Sequence, residues 1–109
     1  MSPGAEFEID PLEAAGRRGR EEAVLLDVRE EFEREIAAIE GSLWIPMREI
    51  PSRAAELPRD REIIVFCHHG GRSAQVAMYL LRNGHSNVRN LSGGIDAWST
   101  VVDNSVRRY

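Results

Sequence analysis

Two apolar runs, at residues 23 to 28 and 63 to 66, lack the regular alternation of apolar and polar side chains that a half-exposed strand would have. Strands of this kind are covered on both faces, as in a parallel sheet with a layer of helices on each side. Segments with a helical spacing of apolar residues lie between the strand candidates. The pattern therefore predicts an α/β domain with a mainly parallel sheet of about five strands and helices on both faces.

Capping and helix-breaking residues place the elements along the chain. Asp10 is suited to cap a first helix, Pro11 fits its first position, and Glu13 completes a capping box. Gly41 is expected to end the second helix, and Pro51 to lie in the first turn of the third. The predicted strands are 7–9, 23–28, 42–45, 63–66 and 87–91, and the predicted helices are 11–18, 30–37, 50–57, 73–83 and a last one from residue 94.

The spacing within the helices also predicts which side chains face the core. Phe32 and Ile36 are four residues apart in the second predicted helix, so we expect both to be buried. By the same argument Leu81 and Val101 face inward from the last two helices.

Length, composition and charge restrict the possible functions. A chain of 109 residues fits a single domain, here taken as 1–109, and 42% apolar with 29% charged residues excludes a disordered chain. A net charge of -4 with scattered basic residues argues against nucleic acid as a partner. We find neither the ~20 apolar residues of a membrane span nor the basic and apolar segments of a signal peptide, so we predict a cytoplasmic protein without membrane binding.

Cys67, the single cysteine, directly follows the run that we expect to form the central strand. Ligand sites of such sheets lie at the carboxyl ends of the strands. Gly70 and Gly71 permit backbone conformations that turn amides towards the sulfur, and a helix begins directly afterwards. Both the helix N-terminus and a nest of amides favour the thiolate, which predicts a lowered pKa and a nucleophile that needs no separate base. Arg72 adds a cation that could hold an anionic substrate.

Two other interpretations of Cys67 are open at this point. It could be a small buried core residue, although packing alone requires no glycine pair, arginine and helix start after it. It could bind a metal together with His68 and His69, but three adjacent side chains diverge and do not reach one tetrahedral ion without distortion. We therefore predict no metal and no cofactor. The histidines are expected to shape the loop, tune its charge near neutral pH, or contact substrate at its rim.

The segment from Cys67 to Arg72 resembles the active-site loop of the rhodanese-like family, with its order of Cys, two residues, Gly, one residue and Arg. Residues 26–30, the Ile45-Pro46 step and residues 91–98 resemble further family motifs in the same order. Residues 103–109 are similar to the end of rhodanese domains fused to ubiquitin-like-activating sulfur-transfer enzymes. Residues 38–40 depart from the family, where Gly-His-Ile is usual. The departure affects the expected geometry of this turn and not the nucleophile.

The resemblance implies a sulfurtransferase that carries sulfur as a persulfide on Cys67. Sulfur would come from thiosulfate or another persulfide donor and pass to a thiol or cyanide, with a protein as a further possible acceptor. The residues implied to bind the donor and stabilise the persulfide are His68, His69, Gly70, Gly71 and Arg72. The charged pair Asp27 and Arg29 is expected to brace the loop.

The resemblance also leaves two alternatives. Rhodanese-like folds include phosphatases and arsenate reductases, but those phosphatases place five residues between Cys and Arg, whereas four residues, 68 to 71, stand here. A shorter loop forms a smaller cradle, which suits sulfur better than phosphate. Rhodanese-like domains that lack the cysteine serve as noncatalytic binding modules, and the presence of Cys67 argues against that role.

Overall fold

The computed structural model describes residues 7 to 109. The first six residues of the predicted domain, and with them the beginning of the segment considered for a signal peptide, lie outside the described residues. In the part of the chain that the structure describes, no helix has both the length and the apolar character that crossing a membrane requires.

The described residues form one five-stranded sheet in which every pair of neighbouring strands is parallel. The strands are β1 (Glu8–Ile9), β2 (Ala23–Asp27), β3 (Leu43–Trp44), β4 (Glu62–Phe66) and β5 (Val88–Leu91). Their order across the sheet is β1-β5-β4-β2-β3. The predicted parallel sheet and the central position of the strand before Cys67 are both confirmed.

Helices connect the strands. They are α1 (Pro11–Gly19), α2 (Glu31–Ile36), α3 (Ile50–Arg53), α4 (Gly71–Arg82) and α5 (Gly94–Val101), with short 3-10 turns at Met47–Glu49 and Ala54–Glu56. Asp10 caps α1 as predicted by accepting from the Glu13 amide at 2.9 Å, but the Glu13 carboxylate pairs with Arg17 rather than completing a capping box. Gly41 does not end α2, which stops at Ile36; Gly41 lies in the following loop with φ of 83°.

Two apolar clusters cover the two faces of the sheet, as predicted. One joins α3 and α4 to side chains such as Leu26, Ile63 and Val65. The other joins α1 and α5 to the alternate side chains Leu25, Ile64 and Phe66. Because successive side chains of a strand point to opposite faces, the uninterrupted apolar runs supply both clusters at once.

For three side chains the prediction that they face the core is wrong. Phe32 is 62% exposed, and the neighbouring Glu33 is buried in its place. The helix of Phe32 is only six residues long, too short for an apolar stripe to dictate its orientation; the contacts of Glu33, described below, do so. Leu81 and Val101 are also exposed, since Leu80 and Trp98 occupy the inward positions near the ends of their helices.

Candidate active site

Cys67 leaves the carboxyl end of β4 with its side chain buried and surrounded by hydrogen-bond donors. The sulfur lies 3.1 Å from the Gly70 amide nitrogen, 3.4 Å from the Ser73 amide nitrogen and 3.3 Å from Ser73 Oγ. The cysteine is 1% exposed, so these groups replace water around the sulfur. The predicted turning of amides towards Cys67 is therefore present.

Two glycines allow this loop to form. Gly70 has φ of 112°, a conformation that side chains with a Cβ rarely adopt. Gly94 begins α5 directly against the loop, where a Cβ would lie 2.5 Å from both the Cys67 and the His68 carbonyl oxygens. The next amides of α5, those of Ile95 and Asp96, donate to these two carbonyls at 2.9 and 3.1 Å. The loop is thus held from behind by the start of α5.

Burial raises the pKa of the Cys67 thiol, but the Ser73 hydroxyl, the Ser73 and Gly70 amides and the nearby positive charge of Arg72 outweigh it. The resulting pKa is below the usual value for cysteine. Each of these groups stabilises the thiolate rather than the thiol. The direction agrees with the lowered pKa that we predict from the sequence.

Arg72 does not stand free at the mouth of the loop. Its Nη1 and Nη2 donate to the two carboxylate oxygens of Glu33 at 2.7 and 2.9 Å. Glu33 also accepts from the Glu30 amide at 3.1 Å, which fixes its place in the first turn of α2. Arg72, together with the Tyr109 hydroxyl and the Glu30 amide, outweighs the effect of burial and lowers the pKa of Glu33 to about 2. These contacts explain why Glu33, rather than Phe32, points inward.

Tyr109 closes the same network from the far end of the sequence. Its hydroxyl donates to Glu33 Oε2 at 2.7 Å and accepts from Arg29 Nη1 at 2.9 Å. Its ring stacks on His68 with centroids 3.9 Å apart, and its main-chain oxygen lies 2.8 Å from His68 Nε2. Burial, together with donation to Glu33, raises the pKa of Tyr109 to about 12 despite the nearby Arg29, so the hydroxyl remains a donor.

Asp27 and Arg29 form a buried brace beside the loop, as expected. Arg29 donates to both carboxylate oxygens of Asp27, at 3.0 and 2.8 Å, and to the Ala37 carbonyl at 2.7 Å. Both side chains of the pair are fully buried. A buried guanidinium with this many acceptors has little freedom to move. Its Nη1 donates to the Tyr109 hydroxyl and so helps to fix the position of that residue.

The two histidines occupy different environments. His68 is held by Tyr109, whereas His69 is largely exposed and its Nδ1 lies 4.0 Å from Asp96 Oδ2. Across residues 7 to 109 the structure brings no three histidine, cysteine, aspartate or glutamate side chains into an arrangement that could hold a metal ion. His68 therefore belongs to the packing around the loop, and His69 lies at its rim.

An open apolar cavity of about 460 Å³ adjoins the loop. Its wall includes Arg72 from the loop and the apolar side chains of Val28, Met47 and Pro51. Glu30 and Arg48, which pair at 2.7 Å, border it on the solvent side. The cavity is large enough for a group bigger than a small anion beside Arg72.

Sequence reasoning missed four side chains around Cys67: Glu33, Ser73, Asn90 and Tyr109. Ser73 directly follows Arg72 in the first turn of α4, a position from which a hydroxyl can reach back to the sulfur. Asn90 is a polar residue at a buried position of strand β5, and a polar side chain between Val88 and Leu91 could have indicated a role. Nothing in the sequence links Glu33 or Tyr109 to the loop, since the chain brings them there from distances of 34 or more residues.

A parallel α/β sheet with a cysteine loop at the carboxyl end of its central strand defines a limited class of domains, and the comparisons with known proteins specify it. The family model described as "Rhodanese-like domain" matches residues 10–100, and this chain belongs to that family.

Individual relatives agree with this assignment. The chain is 40% identical over 79 residues to a protein named sulfurtransferase from Allochromatium vinosum, covering 72% of this chain and 74% of that protein. It is 34% identical over 96 residues to the thiosulfate sulfurtransferase GlpE of Pseudomonas syringae pv. syringae, covering 88% and 91%. Among solved structures, a rhodanese-related protein from Thermoplasma volcanium superposes with a TM-score of 0.78 at 32% identity, covering 85% and 90%.

Proposed function

We propose that this protein is a rhodanese-type sulfurtransferase that carries sulfur as a persulfide on Cys67. The observation that carries the proposal is the ring of three donors around a buried sulfur: the Gly70 amide, the Ser73 amide and the Ser73 hydroxyl. A core cysteine needs no such ring, whereas a thiolate nucleophile does. The family membership and the relatives named sulfurtransferases support the same function.

In the first step the Cys67 thiolate attacks the outer sulfur of the donor. With thiosulfate, the new bond joins Sγ to the outer sulfur, and the sulfur-sulfur bond of the donor breaks with its electron pair leaving on sulfite. Cys67 then holds a persulfide. In the second step an acceptor thiolate or cyanide attacks the outer sulfur, and the electron pair of the broken bond returns to Sγ.

The amides of residues 68 to 72 are the proposed cradle for the outer sulfur. The first turn of a helix leaves its amides without partners inside the helix. In α4 the Ala74 amide donates to the Gly70 carbonyl at 3.1 Å, and the Ser73 amide faces Cys67 Sγ. The outer sulfur would therefore be bound by the Gly71 and Arg72 amides at the start of the helix. Donors fixed in advance stabilise developing charge without reorganisation, as in an oxyanion hole.

Arg72 is the proposed contact for an anionic donor. Its pairing with Glu33 uses one N–H of each terminal nitrogen, and a guanidinium has five N–H donors in all. The remaining N–H groups can therefore bind an anion while Glu33 holds the side chain in place. The adjoining cavity at Val28, Met47 and Pro51 would accommodate the organic part of a thiol or of a protein acceptor.

Intact-protein mass spectrometry tests the proposal directly. The protein is incubated with excess thiosulfate, measured, and measured again after addition of cyanide. A gain of one sulfur atom that cyanide removes, and that Cys67→Ser lacks, supports the persulfide carrier. Should thiosulfate give no adduct, a low-molecular-weight persulfide is the second donor to use. Absence of an adduct with both would exclude the carrier function and favour a docking role for the loop.

A further inference from the structure

Ser73 stands between Cys67 and a second acceptor. Its Oγ lies 3.3 Å from Cys67 Sγ and 2.6 Å from Asn90 Oδ1. Ser73 and Asn90 are buried, with exposures of 0% and 3%, so both acceptors depend on protein donors. A serine hydroxyl has one proton to donate. It can therefore serve the sulfur or the amide oxygen, but not both at the same time.

The orientation of the Asn90 amide is fixed by its other contacts. Its Nδ2 donates to Glu8 Oε2 at 2.9 Å and to the Gly70 carbonyl at 3.1 Å. Both partners are acceptors, and turning the amide over would place Oδ1 against them. Asn90 Oδ1 must therefore face Ser73, where it competes with Cys67 for the hydroxyl proton.

We propose that Asn90 is a positioning residue that holds the Ser73 hydroxyl proton away from the Cys67 sulfur while the sulfur is uncharged, and yields it when the sulfur becomes anionic. In the thiol state Ser73 donates to Asn90, and Ser73 Oγ accepts from the thiol. On ionisation the thiol proton leaves to solvent, and the hydroxyl rotates to donate to Sγ. Asn90 Oδ1 then loses a hydrogen bond in a buried position, which disfavours the anion.

This arrangement also affects sulfur transfer, and that consequence rests on the proposed function. The inner sulfur of a persulfide is uncharged, so the hydroxyl stays with Asn90. When an acceptor attacks the outer sulfur, charge develops on Sγ as the sulfur-sulfur bond breaks, and Ser73 turns to meet it. The hydrogen bond is thus made as the leaving group forms, the stage at which stabilisation accelerates the step.

Other charged and titratable groups also surround the cysteine and must be considered in any measurement of its ionisation. They come from every element around the loop: Glu8, Asp27, Arg29, Glu33, His68, His69, Arg72, Asp96 and Tyr109. None of them changes identity in the variants below, but Glu8 loses its Asn90 donor in the Asn90 variants. The same loss occurs in the Ser73→Ala background, which therefore measures it separately.

The test is the rate of alkylation of Cys67 by iodoacetamide between pH 5 and 10, which follows the thiolate fraction. Asn90→Leu keeps the number and branching of the side-chain heavy atoms but neither accepts nor donates a hydrogen bond, and we expect it to lower the apparent pKa of Cys67 by about one unit. Ser73→Ala removes the donor and is expected to raise the pKa by about one unit. The double variant loses the same Asn90 contacts with Glu8 and Gly70 but has no Ser73 hydroxyl to redirect, so we expect its pKa to stay close to that of Ser73→Ala.

An unchanged or raised pKa in Asn90→Leu would overturn the inference, as would an equal lowering in the Ser73→Ala background. Circular dichroism establishes folding, and Asn90→Ala provides the same measurement if the leucine variant does not fold. Asn83→Ala is the matched control, since the Asn83 side-chain amide donates to the exposed Tyr79 carbonyl, one turn earlier in α4. The measurement uses the free thiol without a sulfur donor, so failure of the proposed sulfur transfer would leave its outcome unaffected.

Discussion

Arg72 and Glu33 face each other across the mouth of the cysteine loop through two hydrogen bonds, 2.7 and 2.9 Å long, one from each terminal nitrogen to each carboxylate oxygen. The arginine is 38% exposed at its side chain, whereas the glutamate is 6% exposed. The pair therefore has unequal ends: one charge reaches solvent and the other depends on its partners. This inequality determines what each substitution does.

Arg72→Ala is expected to lower stability as well as to raise the KM for thiosulfate. Loss of the arginine leaves the buried Glu33 carboxylate without its main partner, which costs about 2 kcal/mol of the free energy of unfolding. Urea denaturation measures this cost, and steady-state kinetics measure the KM. Adding Glu33→Gln to Arg72→Ala removes the uncompensated charge and is expected to restore stability without restoring the KM. A double variant with a wild-type KM would contradict the binding role of Arg72.

Stability is expected to fall in acid because of Glu33. Its folded-state pKa of about 2 lies below the ordinary value of 4.5, so the carboxylate stabilises the folded chain above about pH 4.5. That stabilisation, at most about 3 kcal/mol by linkage, is lost as the pH falls from 4.5 towards 2. Urea denaturation at pH 7 and pH 3 is expected to show a smaller difference for Glu33→Gln than for the wild type. Equal differences would show that Glu33 does not titrate as described.

Tyr109→Phe keeps the ring that stacks on His68 but removes the hydroxyl shared by Glu33 and Arg29. We expect a loss of about 1 to 2 kcal/mol in the free energy of unfolding, since a hydrogen bond to a charged group contributes more to stability than one between neutral groups. Tyr79, the other tyrosine, is partly exposed at 36%, and Tyr79→Phe is expected to have little effect. Thermal denaturation of the two variants side by side measures the difference, and equal melting temperatures would contradict the role assigned to the Tyr109 hydroxyl.

Gly94→Ala is expected to displace the cysteine loop. The new Cβ would lie 2.5 Å from two loop carbonyl oxygens, at a φ of 62° that alanine rarely adopts. We expect a loss of more than 2 kcal/mol in stability and a marked drop in sulfur transfer. Gly19→Ala is the control, since its Cβ meets nothing within 4 Å. If Gly94→Ala retained full transfer activity, the α5 start would not be needed to shape the loop.

Cys67→Ser is expected to abolish sulfur transfer while leaving the fold nearly intact. The hydroxyl is a little smaller than the thiol and can accept from the same amides, but it is not ionised near neutral pH and does not form a persulfide. Measurable turnover in this variant, with contaminating wild type excluded by mass spectrometry, would contradict the mechanism.

The sheet and the cysteine loop could be predicted because local patterns encode them. The apolar runs at β2 and β4 specify strands buried on both faces, and Gly70, with φ of 112°, specifies the turn after Cys67. Gly71, which we predict to act with it, has no positive φ and open space at its Cβ position. Glu33 could not be predicted, because its burial depends on Arg72 and Tyr109, which are distant in sequence, and not on apolar spacing. The prediction that Phe32 is buried was wrong for the same reason. In a helix of six residues, the ion pair of a buried glutamate determines which face points inward more strongly than one aromatic side chain does.

Asn90 and Ser73 show a different limit. Their residue types are visible in the sequence, but the proposed competition between Asn90 Oδ1 and Cys67 Sγ for the Ser73 proton follows from two distances, 2.6 and 3.3 Å. Only the contacts of the Asn90 amide with Glu8 and Gly70 determine which of its atoms faces the serine. Such contacts form only in the folded chain and leave no pattern in the sequence.

The order of strands across the sheet also concerns how a growing chain acquires its reactivity. Strand β1, the first to be synthesised, has β5 as its only neighbour in the sheet of the described residues, and Tyr109 reaches the loop later still. Until the segments after Cys67 have been made and folded, its sulfur lacks the Ser73 donors, and the loop lacks its contacts with Asn90 and Tyr109. The surroundings of this sulfur are therefore complete only when nearly all of the described chain has been made and folded.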